Sequence, residues 1–408
     1  MLIANPRAAR SSYPTQLKAI MSVEKAEESR KWLSSWEGIN GGSTPLLDLP
    51  DLAEKLGVAQ ILLKDESIRS PLGSFKALGA PIALVRLILR LWPEDNVDPV
   101  ALFAGAYKPG LSDFTVISAT DGNHGKALAA AARSIGCRCV IVLHANVSVE
   151  REEAIAEYGA EIVRITGNYD ESVAEAARLA TANGWYVVSD TSYEGYEEVP
   201  RDVMQGYGTV AAEIVEACGG AGAAPFTHVF LQGGVGGMAA GIASYFWEVY
   251  GEQRPTVVIV EPEQADCLYQ SVIQGTAAKA TGSVDSVMAG LACGETSPLA
   301  WQFLETGADY FMTIHDDDAV AAVQALARGS KRDVPIVSGE SGAAGLAGLM
   351  VLHGTDGLAA KTGLDRSSRV LLISTEGATA PLGYEQLVGE SAEAVVLRQK
   401  AWSQAKAA

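Results

Sequence analysis

Short β-rich runs alternate along the chain with longer stretches rich in Ala, Leu and Glu. The runs at 60–64 (QILLK), 114–118 (FTVIS), 138–143 (RCVIVL), 161–165 (EIVRI), 186–189 (YVVS), 228–231 (HVFL), 256–260 (TVVIV) and 369–373 (RVLLI) predict strands. Between them, 125–135, 149–158, 170–183, 237–250 and 317–327 predict helices, several opened by a capping residue. Strands alternating with helices predict an α/β architecture with mostly parallel sheets and helices on both faces. A chain of 408 residues is too long for one ordinary core, because single domains run to about 100–200 residues. The polar segment 190–200 (DTSYEGYEEVP) and the Gly/Ala-rich 218–225 place a boundary near Pro200. The expected division is 1–60 with 201–408 as the large domain, and 61–200 as a smaller, mobile one. The Ala-rich last few residues are expected to fray.

With 48% hydrophobic and 20% charged residues the chain is globular. A formal net charge of -18 argues against nucleic acid or an anionic membrane as partner, since either meets a repulsive field. No run approaches the apolar length that spans a bilayer, and there is no secretory-type apolar core, so the expected location is the cytosol. Arg7, Arg10 and Lys18, with no acid before Glu24, give the first residues a faint transit-peptide character, opposed by their lack of amphipathic pattern. Five cysteines without metal spacing argue against zinc or a disulfide framework, and no metal is expected. His144, His228, His315 and His353 show no ligand spacing either. Cys137 and Cys139 share one face of a strand, a packing arrangement, while Cys267 and Cys293 lie in loop-like segments whose pairing is not readable.

Three segments carry chemistry. In SPLGSFKALGA (70–80), Lys76 has only small or aromatic neighbours, and desolvation favours the neutral amine that forms imines. An ordinary surface lysine at a helix start is the competing account. SATDGNHG (118–125) joins a strand to a helix whose N-terminus suits an anion; Asn123 can donate and accept, and Asp121 and His124 can move protons. Thr120 or Asp121 as a plain helix cap is the alternative there. In LQGGVGGMAAG (231–241), Gly233, Gly234, Val235, Gly236, Gly237 and Met238 form a strand–turn–helix junction whose backbone amides can converge on a phosphate. The same turn fits a dinucleotide pattern, with Glu261 after the next strand as a candidate ribose-binding acid. Asp190 and the pair Ser374 and Thr375 end strands at sheet edges where α/β proteins place ligands. SGESGAAG (338–345) is an imperfect nucleophile elbow and predicts a helix start instead.

Taken in order, GSFKALGA, ATDGNHG, SDTSYEGY with VMQGYGT, QGGVGGMAAG, VEPEQADCLYQS, MAGLACGE, SGESGA and ISTEGAT resemble the fold type II pyridoxal phosphate enzymes, the group of threonine dehydratase, cysteine synthase and the tryptophan synthase β-chain. Within that group the chain is most similar to the diaminopropionate ammonia-lyases. The resemblance implies a two-domain fold type II enzyme and pyridoxal 5'-phosphate bound covalently by Lys76. It also implies Asn123 at the ring oxygen, 233–238 at the phosphate, and Ser374 or Thr375 at the pyridine nitrogen. Asp121 and Asp190 map to substrate binding and proton abstraction, and a homodimer is implied. The expected reaction is α,β-elimination of a small amino acid, 2,3-diaminopropionate of either hand, to pyruvate and two ammonia. A serine, threonine or hydroxyaspartate dehydratase is the nearest alternative. The dinucleotide reading leaves Lys76 and DGNHG without a role. GGVGG departs from relatives that carry alanines at this turn.

Overall fold

The computed structural model describes every residue except Asp121, Asn146 and Ala408, with the side chains of Asp170 and Ala407 also left aside. Eleven strands lie among the described residues: β1 (Leu2–Ala4), β2 (Leu46–Asp48), β3 (Gln60–Asp65), β4 (Thr115–Ala119), β5 (Arg138–Leu143), β6 (Glu161–Arg164), β7 (Tyr186–Val187), β8 (His228–Gln232), β9 (Thr256–Pro262), β10 (Tyr310–Ile314) and β11 (Arg369–Ser374). The chain divides into two compact units, one of Met1–Val23, Ser43–Ile68 and Val210–Ala408, the other of Glu24–Gly42 and Arg69–Thr209.

The first unit is built on a seven-stranded sheet of order β1-β10-β9-β8-β11-β3-β2. The five inner strands run parallel, and the two outer strands are antiparallel to their neighbours. Inner strands read as unbroken apolar runs because both faces are covered; in β9 every residue after Thr256 is buried. One cover is the helix Glu340–Gly354, which lies so close to the sheet that a Cβ on Gly348 would meet a Val260 methyl at 2.8 Å. SGESGAAG thus opens a helix, as its pattern predicts. The strand-exit segment Lys64-Asp65-Glu66 is buried. Lys64 Nζ donates to the Thr44 carbonyl (2.7 Å) and to Glu213 Oε2 (2.6 Å), and the Thr44 hydroxyl donates to Glu66 Oε1 (2.6 Å). The early basic residues are consumed in ion pairs, Arg7 with Glu305, Arg10 with Asp309 and Lys18 with Glu248.

The second unit holds a four-stranded, all-parallel sheet of order β6-β5-β4-β7. Ile117, Val140 and Val142 pack with Ala176 and Ala180 of the helix Tyr169–Asn183, whose start is fixed by a reciprocal Asn168 and Glu171 capping box. The other face of β5 carries Cys139, buried as its strand position predicts.

Two expectations are corrected. The helix Glu198–Ala217 runs straight through Pro200, so no linker lies there, and the two units part inside this helix. Pro200 is its third residue, where a missing N–H costs nothing because first-turn N–H groups have no intrahelical partner. Where the last residues were expected to fray, a helix spans Ala392–Ala407, anchored where the Trp402 indole N–H donates to the Ser330 carbonyl at 3.0 Å. None of the five cysteines is in a disulfide, Cys267 and Cys293 included. Among the described residues no helix is long and apolar enough to cross a membrane.

Candidate active site

In the second unit the site starts from the one-turn helix Phe75–Leu78, which presents Lys76 and leads into the buried helix Ala80–Leu91. The helix Glu198–Ala217 lies directly on this turn. A Cβ on Gly206 would sit 2.0 Å from the Leu78 carbonyl oxygen, and one on Gly79 would sit 2.6 Å from the Tyr207 ring. Phe75 and Tyr207 then pack with centroids 4.7 Å apart, and both rings lie under Lys76 Nζ, at 5.3 and 5.7 Å. Lys76 is therefore no ordinary surface lysine.

Lys76 Nζ donates to Asp190 Oδ2 at 2.5 Å, although 114 residues separate them in the chain. Asp190 stands just past the carboxyl end of β7, the edge where the sequence reading placed it. Burial acts to raise its carboxyl, but the Lys76 ammonium, by its charge and its hydrogen bond, outweighs burial and holds it well below the usual carboxylate range. His124 comes from the helix Asn123–Ile135, which follows β4. Its Nε2 is 3.0 Å from the Val188 carbonyl, a contact only an N–H can satisfy, so the neutral ring carries its lone pair on Nδ1, 3.8 Å from Asp190. Burial first, then Lys76, pushes the His124 pKa down against Asp190, so the ring stays neutral. Asn123 is the first residue of that helix and is half-buried. Asp121 lies outside the described residues.

In the first unit the glycine turn follows β8. Gly234 (φ +61) and Gly236 (φ +98) adopt backbone conformations that L side chains rarely take. Gly233 has no room for a Cβ, which would come within 2.6 Å of Glu261 Cγ. The helix Gly237–Tyr250 begins without a side-chain cap, so its first N–H groups are open to an anion. Gln232 braces the turn by donating to the Gly342 and Ile373 carbonyls (2.9 and 2.7 Å). Ser374 ends β11 fully buried, 2.8 Å from the Ser338 hydroxyl, and Thr375 is buried beside it. The Ser341 hydroxyl accepts from Gly290 N–H (3.0 Å), tying SGESGA to MAGLACGE.

Glu261 does not face a ribose. It is fully buried and accepts from the Leu268 and Tyr269 backbone N–H groups (2.9 and 2.7 Å), capping the helix Cys267–Gln274 from outside, and burial raises its pKa to about 8 despite those bonds. The dinucleotide reading thereby loses its acid. A glycine-rich turn, an uncapped helix N-terminus and a strand-end hydroxyl in the first unit, and a lysine set against a carboxylate in the second, are groups that fit a phosphorylated pyridine aldehyde.

Each unit thus holds part of the outfit of a pyridoxal phosphate enzyme. The model of the family "Pyridoxal-phosphate dependent enzyme" matches residues 39–376. The diaminopropionate ammonia-lyase of Escherichia coli (strain K12) is 40% identical over 356 residues, 86% of this chain and 88% of that one. The crystal structure of the selenomethionine-containing holo form of the Escherichia coli lyase superposes with a TM-score of 0.85 at 36% identity, covering 95% of this chain and 96% of that one. Its complex with D-serine matches with a TM-score of 0.83 at the same identity and coverage. The chain belongs to the pyridoxal-phosphate dependent enzymes and, among them, to the diaminopropionate ammonia-lyase family.

Proposed function

We propose that this chain is a carbon-nitrogen lyase that eliminates the β-amine of 2,3-diaminopropionate and yields pyruvate and two ammonia. The observation that carries the reading is the Lys76 amine set 2.5 Å from the Asp190 carboxylate, a nucleophile and a base in one contact, in a chain of this family. Bound pyridoxal phosphate supplies the electron sink that makes the substrate Cα proton removable. Lys76 holds the cofactor covalently and takes part in proton movement at Nζ. Backbone N–H groups of 233–238 bind the phosphate, Asn123 the ring oxygen, and Ser374 or Thr375 the pyridine nitrogen. Ser374 is the better placed of the two hydroxyls to be held still, because Ser338 fixes it. Asp190 Oδ2 takes a proton once Lys76 has left it. Asp121 shares substrate binding and proton abstraction with Asp190, and its charge suits a substrate with a β-ammonium, where a dehydratase would leave the turn neutral.

Two kinds of base, a carboxylate and Lys76, allow deprotonation of either enantiomer, and the D-serine complex of the Escherichia coli relative supports a site that admits the D hand. With Asp121 as the carboxylate base for one hand and Lys76 for the other, Asp121→Asn is then expected to spare one enantiomer; equal loss of both counts against this division of labour. The family resemblance supports a homodimer, and the cytosol is the expected location. Assay of a panel of amino acids for pyruvate and ammonia tests the whole reading. Two ammonia per pyruvate from diaminopropionate supports it, and faster turnover of serine, threonine or hydroxyaspartate, with one ammonia each, overturns it.

A further inference from the structure

Tyr207 sits almost wholly enclosed on the helix Glu198–Ala217, its ring packed on Phe75 and beneath Lys76. Its hydroxyl is buried and meets no full hydrogen-bond geometry among the described residues, and the charged groups nearest it are Lys76, which lies within its bonding reach, and Asp190. A phenylalanine would fill the same space without burying a polar atom, and an unpaired buried hydroxyl is destabilising. The group within its bonding reach is Lys76.

Lys76 has two hydrogen-bonding characters. As an ammonium it only donates, and Asp190 meets it. As a neutral amine it has a lone pair that needs a donor. Asp190, ionised, only accepts, and His124 Nδ1 carries a lone pair because Nε2–H is committed to the Val188 carbonyl. Among the described residues the Tyr207 O–H is a donor that faces Nζ and is engaged by no other group. We propose that Tyr207 is a positioning residue for Lys76, its hydroxyl donating to Nζ once the neutral amine has left Asp190.

This rests on Lys76 being the cofactor-bearing lysine. When the substrate amine takes its place, one carbon–nitrogen linkage forms as another breaks, the proton count of the exchange is unchanged, and Lys76 departs as a free amine. Held by Tyr207, it stays off Asp190, whose carboxylate is then open to a proton. Without the hydroxyl, Lys76 picks up a proton from solvent and returns to Asp190.

The test is Tyr207→Phe. Apo-protein is reloaded with pyridoxal phosphate across pH, and the visible absorbance of the covalent link reports the neutral fraction of Lys76 without turnover. Donation to the neutral amine depresses the Lys76 pKa, so its loss raises that pKa. The midpoint of loading should move up by about one pH unit, with rates about tenfold lower near neutrality and converging above about pH 10. In the loaded enzyme kcat should fall by a similar factor with little change in KM. Tyr384→Phe, which removes another buried unpartnered hydroxyl, in the first unit, should change neither profile. Superimposable loading profiles for folded wild type and Tyr207→Phe overturn the proposal, as does a shift confined to Ser74→Ala, since Ser74 Oγ is also buried without a partner. Borohydride trapping that maps the adduct to another lysine overturns it differently, by removing the reading beneath it.

Discussion

At Asp190 two demands compete, burial against a nearby ammonium, and the ammonium prevails. The carboxylate is ionised throughout the physiological range, so removing its charge should matter at every working pH. Asp190→Asn is expected to lower kcat by about 10²- to 10⁴-fold, the usual worth of a positioned base, with cofactor absorbance retained; steady-state kinetics on the loaded variant checks it. Glu261 is the opposite case, a carboxyl whose folded pKa is raised to about 8 from an ordinary 4.5. A raised folded pKa means that the folded state holds the proton more tightly, so this stabilisation is present below the ordinary carboxylate pKa and is lost as pH rises through about 8. Melting curves between acid and mildly alkaline pH should show wild type losing a few kcal/mol (on the order of 2–4) that Glu261→Gln keeps, because the glutamine does not titrate. Lys76 and Asp190 were legible in the sequence, one from its uncharged neighbours, the other from its place at a strand end. The bond from His124 to Val188, across 64 residues, and that from Ser374 to Ser338, across 36, were not, because side-chain pairing at such separations leaves no local pattern.

Among the elements, long apolar strands and capped helices were readable because each carries its own periodicity. β1 and β2 were not, since three residues cannot show a pattern. β10 reads YFMTI, where Tyr, Phe and Met stand in place of the β-branched residues that mark its neighbours. Nor was the helix Glu198–Ala217 legible, because Pro200 and the polar segment before it read as a break. That helix governs the Lys76 turn through its glycine. Gly206→Ala would drive a methyl to 2.0 Å from the Leu78 carbonyl, a strain of about 1–3 kcal/mol of the kind that overpacking produces. Urea unfolding measures the loss, and slower cofactor loading at unchanged Asp190 should accompany it, since the turn that bears Lys76 must shift.

For the molecule as a whole, parallel α/β architecture followed from the alternation of elements, but the place of residues 24–42 did not. Residues 24–42 belong with 69–209, a long-range grouping that no composition shift announces. Stability of the first unit leans on the buried Lys64 and Glu213 pair, each side chain no more than 3% exposed. Lys64→Met leaves Glu213 buried and without its cation, and should cost about 3–5 kcal/mol in denaturant unfolding; Lys64→Met with Glu213→Leu should recover much of that, and no recovery would show that the pair acts through the Thr44 loop instead.

The two units also come with separate built-in sentinels. Cys139 on β5 and Cys267 below the glycine turn are each sealed from solvent, with thiols that burial, first among the causes, makes reluctant to ionise. An alkylating reagent can reach either sulfur only while its own surroundings are transiently undone. A timed pulse of such a reagent, followed by peptide mass spectrometry, would therefore clock the opening of each half independently in one sample, with no label engineered into the chain.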